Sequence, residues 1–179
     1  MKIYLVRHGQ TDKNKNNIIQ GVIDEVLNEN GINQAKELKK KIDNLDIDLM
    51  IVSPLKRTRE TAKIITENRE IETIFDDRII ERNAGELEGK SNIYYDHIKA
   101  WNYNLNTDLG YNIERVKELL ERTNLFLNDI KDKYNNKRIL IVSHEAVIRA
   151  INYNIVGYNE NTNFKEFEID NCCLLEYDI

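Results

Sequence analysis

Three short aliphatic runs, residues 2–6, 48–52 and 138–142, constrain this chain more than any other feature. Each is rich in Ile, Leu and Val, the pattern of a strand covered on both faces; a strand with one face in water would alternate polar and apolar residues. Amphipathic stretches lie between the runs. Ile32, Ala35, Leu38 and Ile42 recur at helical spacing after Gly31, which reads as a breaker. Leu55, Thr58, Ala62 and Ile65 do the same after Pro54, placed for a first helical turn. Ile113, Val116, Leu120, Leu127, Ile130 and Tyr134 mark a longer helix, and another begins near Glu145 with Val147, Ile148 and Ile151. Further strands are expected at 71–75, 165–169 and 172–177. Strands alternating with helices predict an α/β fold: a three-layer α/β/α sandwich with a mainly parallel central sheet.

At 179 residues the whole chain, 1–179, reads as one domain, with an Asn- and Asp-rich insertion or lid at about residues 90–112. A net charge of −5 without a long basic stripe argues against nucleic acid as a partner, although a few convergent arginines can still make a local anion pocket. No apolar run approaches the roughly 20 residues that span a bilayer, and no leader pattern precedes the first strand, so no membrane partner and a cytoplasmic location are expected. The two cysteines, Cys172 and Cys173, are adjacent, which makes neither a disulfide framework nor a metal site. The oligomeric state is left open.

Open α/β sheets bind ligands beyond the carboxyl ends of their strands. Here those ends are Arg7-His8, the segment Ser53 to Arg57, and Ser143-His144, so two histidines and two arginines are expected at one edge. That set matches phosphoryl transfer, which needs an in-line nucleophile, cations around the equatorial oxygens, and a proton for the leaving oxygen. His8 can be the nucleophile if one ring nitrogen is bare and the other is held. Arg7 and Arg57 can clamp phosphate oxygens, and His144 can donate to them. Glu81, after an apolar pair and before a glycine turn, is the candidate acid and base, a role that needs a raised pKa.

At these residues the chain resembles the histidine phosphatase superfamily, in its phosphoglycerate-mutase-like branch. Arg7-His8-Gly9-Gln10-Thr11 is similar to the RHG[EQ]T signature, with Asn14 following. Gln20-Gly21, Asp24, Leu27, Gly31 and Gln34-Ala35 continue the pattern, as do Ser53-Pro54-Leu55, Arg57, Thr61-Ala62, then Glu81, Gly85 and Glu88-Gly89, and Ser143-His144. The resemblance implies a phosphohistidine at His8, a phosphate pocket of Arg7, Asn14, Arg57 and His144, Glu81 as proton donor, and no metal or organic cofactor. It implies a small-molecule phosphomonoester as the partner. In three places the chain departs from the pattern: Glu145 stands where glycine is common, Gly110-Tyr111-Asn112 stands before the long helix in place of Gly-Glu-Ser, and the longer insertion of true mutases has no room. The last tilts the reading to a phosphatase. A cofactor-dependent phosphoglycerate mutase and a catalytically silent phospho-ligand-binding module are the alternatives.

Two decoys fall away. Gly85-Glu86-Leu87-Glu88-Gly89-Lys90-Ser91 imitates a phosphate-binding loop but has three residues between its glycines rather than four. His144-Glu145 opens a zinc-protease pattern but reaches Arg149 without a second histidine. His97 reads as a surface or lid residue, and Trp101, Tyr103 and Tyr111 as packing for that lid.

Overall fold

The computed structural model describes residues 1–94 and 97–179, with the backbone alone for Tyr94, His97 and Ile98. The side chain of His97 therefore lies outside the described residues. Five strands form the sheet: β1 (Lys2–Arg7), β2 (Leu49–Val52), β3 (Thr73–Phe75), β4 (Arg138–Ser143) and β5 (Leu174–Asp178). Their order is β3-β2-β4-β1-β5, and every pairing is parallel except that of β5 with β1.

The aliphatic runs have the two-sided burial their composition implies. Ile3, Leu5, Leu49, Ile51, Ile139 and Ile141 point into one apolar layer; Tyr4, Val6, Met50, Val52, Leu140 and Val142 point into the other. Helices α2 (Glu29–Ile42) and α3 (Lys56–Ile65) close the second layer through Ala35, Leu38, Ile42, Ala62 and Ile65. On the opposite face, α5 (Val116–Tyr134) and α6 (Glu145–Val156) bury Val116, Leu119, Phe126, Leu127, Val147, Ile148 and Ile151. The predicted α/β/α sandwich with a mainly parallel sheet is the observed one. Two single-turn helices, α1 (Asp12–Lys15) and α4 (His97–Ala100), lie on the connecting segments.

Three local expectations change. Residues 165–169 form no strand: the chain makes a 3-10 turn at Phe164–Glu166, because β5 already occupies the edge of β1 and the 165–169 carbonyls turn toward arginines. Helix α3 starts at Lys56 with Leu55 as its N-cap, so Pro54 precedes the first turn instead of opening it. Gly31 is inside the first turn of α2, where the Asn28 side chain caps its amide at 2.9 Å. It is needed there for space: a Cβ on Gly31 would lie 2.1 Å from the Gln10 carbonyl oxygen, and one on Gly9 would lie 2.6 Å from that of Gly31. Helix α2 thus braces the turn that follows β1. No helix among the described residues is long and apolar enough to cross a membrane.

Candidate active site

Register fixes where the site forms. Arg7 pairs with Ser143 and Val52 with Val142, so β1, β2 and β4 release their chains at one height. A cavity of about 340 Å³ opens at that edge. Arg7, His8, Asn14, Arg57 and Glu81 all line it; His144 lies behind its wall, fully buried.

His8 has a defined tautomer. Its Nδ1 is 2.7 Å from the Gly9 carbonyl oxygen, which can only accept, so Nδ1 carries the proton and Nε2 is bare. Burial lowers its pKa well below the 6.5 of an ordinary imidazole, and the Arg57 and Arg7 cations push in the same direction. The ring is therefore neutral at neutral pH. The Gly9 amide donates to Thr61 Oγ1 at 3.0 Å, the Gln10 amide to Gln34 Oε1 at 2.9 Å, and Asn171 Nδ2 to the His8 carbonyl at 2.9 Å. The loop holding the nucleophile candidate is tied on three sides.

His144 occupies the N-cap position of α6 without capping it through its side chain, and contacts His8 edge-on, with ring centroids 5.2 Å apart. Both of its nitrogens are engaged: Nδ1 accepts from Arg57 Nε at 3.2 Å, which leaves the Nε2 proton to face Ser53 Oγ at 2.7 Å. Burial, with Arg57 second, lowers its pKa well below 6.5, so it too is neutral. Arg57 also donates to the carbonyls of Ile23 at 2.7 Å and Gly21 at 2.8 Å, which fixes its fork against the cavity wall. Gly21 has φ +51°, and the Glu88 carboxylate packs where its Cβ would be, accepting from the Val22 and Ala84 amides at 2.9 and 3.1 Å. The Gln20-Gly21 and Glu88-Gly89 stretches of the sequence thus meet to build the backing of Arg57.

Arg7 donates through Nη1 to the Ile169 carbonyl and through Nη2 to Glu145 Oε2 at 3.0 Å; its buried Nε has no partner. A buried guanidinium N–H left unpaired is costly, which marks Arg7, at the cavity edge, as a group whose hydrogen bonding the chain itself leaves incomplete. Asn14 spends Oδ1 on the Thr11 amide and hydroxyl, at 3.1 and 3.2 Å, which leaves its Nδ2 group for the cavity. Glu81 is partly buried, and its Oε1 accepts from the Arg82 amide at 2.9 Å. Desolvation raises its pKa above the usual carboxyl value, although Arg57 and that hydrogen bond pull the other way.

Among the lining residues that the sequence reading did not assign to the site are Glu145, Arg149, Lys165 and Trp101. Glu145 Oε1 accepts from Arg149 Nη2 at 2.8 Å. Burial alone would raise its pKa, but Arg7 and Arg149 outweigh burial and hold it low. Arg149 also donates Nε to the Phe167 carbonyl at 3.0 Å. The Arg82 and Arg149 guanidiniums lie 4.8 and 4.6 Å from the Trp101 ring centroid, so Trp101 packs the wall and lines the cavity at once. The available signal was the i, i+4 spacing of Glu145 and Arg149 on one helix.

Known proteins share this arrangement of chain. The uncharacterized phosphatase PhoE of Bacillus subtilis (strain 168) is 34% identical over 160 residues, 87% of this chain and 77% of that protein. Phosphoserine phosphatase 1 of Hydrogenobacter thermophilus is 30% identical over 176 residues, covering 96% and 83%. The crystal structure of phosphoserine phosphatase in complex with 3-phosphoglyceric acid from Entamoeba histolytica superposes with a TM-score of 0.83 at 26% identity, covering 98% of this chain and 89% of that one. The profile of the histidine phosphatase superfamily (branch 1) matches residues 3–179, nearly the full length, and this chain belongs to that superfamily.

Proposed function

We propose that the chain hydrolyses a small-molecule phosphomonoester through a phosphohistidine at His8, with no metal ion. The observation that carries this reading is the bare Nε2 of a neutral, buried His8 whose other nitrogen is held by Gly9, in a cavity also lined by the Arg7 and Arg57 guanidiniums. In the first step the Nε2 lone pair attacks phosphorus in line with the ester oxygen. The P–O bond breaks as Glu81 gives its proton to the departing alcohol. In the second step the Glu81 carboxylate takes a proton from water, whose oxygen attacks phosphorus and breaks the P–N bond. His8 and the protonated Glu81 are restored, and inorganic phosphate leaves.

Arg7, Arg57 and the Asn14 amide stabilise the equatorial oxygens, where charge accumulates in the transition state. His144 keeps the Arg57 fork aimed by accepting from its Nε. All of this chemistry uses groups of the chain itself, so no cofactor is invoked. The phosphatase names of the relatives support hydrolysis as the net reaction.

The test is phosphate release from a panel of phosphomonoesters with EDTA present, wild type beside His8→Ala. Release that resists EDTA and vanishes in the variant is expected. Release that persists in the variant would remove His8 from the mechanism. No release from any ester would direct attention to phosphate exchange between glycerate isomers, the mutase reaction, and then to ligand binding alone.

A further inference from the structure

The wall of the cavity next to Arg7 is cationic, and the chain supplies its own anion to it. Glu145 puts one carboxylate oxygen on Arg7 Nη2 at 3.0 Å and the other on Arg149 Nη2 at 2.8 Å. Lys165 lines the same wall. As a helical i, i+4 pair on open surface, Glu145 and Arg149 would matter little. They are not on open surface: Arg149 is 2% exposed, and Glu145 borders the cavity with its side chain one-third exposed. Two guanidiniums and an ammonium beside a phosphate site are the arrangement that receives a second anionic group of a substrate. Here a residue of α6 already fills that seat.

We propose, resting on the phosphomonoester reading above, that Glu145 is a built-in carboxylate in the seat a substrate carboxylate would take. The site therefore selects phosphomonoesters whose alcohol portion bears no carboxylate. A carboxylate-bearing ester placed with its phosphate at His8 and its second anion toward Arg7 and Arg149 meets like charge at contact distance. An ester with hydroxyl or ammonium groups there meets an acceptor, since carboxylate oxygens carry more lone pairs than the two arginines use. Glu145 is then a specificity determinant against carboxylate-bearing esters such as 3-phosphoglycerate, the ligand in the Entamoeba histolytica structure.

Two ligand pairs isolate the effect, because the members of each differ in the carboxylate: glycerol 3-phosphate against 3-phosphoglycerate, and phosphoethanolamine against phosphoserine. Dissociation constants are measured by calorimetry in the His8→Ala background, where nothing turns over, with and without Glu145→Gln. Glutamine keeps the size and one acceptor oxygen and loses the charge. Taking the ratio within a pair cancels any general change in phosphate affinity from releasing Arg7. The Glu145-containing protein should favour the carboxylate-free member by about tenfold or more, and Glu145→Gln should erase most of that ratio. Equal affinity within both pairs in the Glu145-containing protein overturns the proposal without recourse to a variant, as does a ratio unchanged by Glu145→Gln. Turnover of p-nitrophenyl phosphate by wild type, run separately, reports on the phosphatase reading alone.

Discussion

Glu81 is asked to do two jobs that need opposite protonation states, and its environment serves the first. Burial raises its pKa, so the proton it must donate survives to higher pH than on an ordinary carboxyl. His8 must be unprotonated to attack, and its lowered pKa keeps it so well into acid. The profile of kcat/KM against pH should accordingly fall on the acid side as His8 gains a proton, below 6.5, and on the basic side as Glu81 loses one, above the usual carboxyl range. Glu81→Gln should lower kcat on alkyl phosphates by about 10²–10⁴-fold and remove the basic limb. On p-nitrophenyl phosphate, whose leaving group needs no proton, the same variant should give a stoichiometric burst of nitrophenol followed by slow turnover, because the water step still lacks its base. Turnover as fast as wild type, without a burst, would leave Glu81 out of the second step. At this scale the sequence showed His8, Arg57 and Glu81 because each stands beside a strand end or in a fixed pattern. It did not show that both His144 nitrogens are committed, or that Glu145 is held by Arg7 and Arg149. Those facts depend on residues far apart in sequence, Ser53 and Arg57 against His144, and Arg7 against Glu145.

Helix α2 carries no residue that touches the cavity, yet it sets the position of the turn after β1. The contact is backbone against backbone: Gly31 on Gln10 and Gly9, with no room for a methyl group. Gly31→Ala should cost about 1–3 kcal/mol, the range for overpacking a close-packed interior, and should depress kcat because the turn that yields carries His8. Urea denaturation beside steady-state kinetics checks both; a variant unchanged in stability would show that the helix can withdraw freely. The elements themselves were legible where a run is uniformly apolar, as in β1 and β4, or where a helical period dominates, as on the apolar faces of α2, α3 and α5. Residues 165–169 misled because Phe167 and Ile169 alternate with Glu like a strand, while their carbonyls serve Arg149 and Arg7. Gly31 reads as a breaker in sequence because the close approach it permits is tertiary.

The molecule as a whole is held to a neutral form of its two buried site histidines. In the unfolded chain each imidazole takes up a proton near pH 6.5; in the folded chain His8 and His144 resist it, their pKa values being lowered. The unfolded state thus binds more protons below 6.5, so stability present above that pH is lost as pH falls through it. As pH falls from about 6 to 5 the unfolding free energy should drop, opposed in part by Glu81, whose raised pKa favours proton uptake in the folded chain. Denaturation midpoints at stepped pH check this, and a flat response over that interval would mean that one or both rings are protonated in the fold. One further property follows from how the cavity wall is built. Trp101 is the only tryptophan of the chain, and it lies between two cations at the edge of the space a phosphoester would fill. A ligand that moves those charges should therefore shift its indole emission, an optical readout of cavity occupancy that needs neither modified ligands nor a coupled assay.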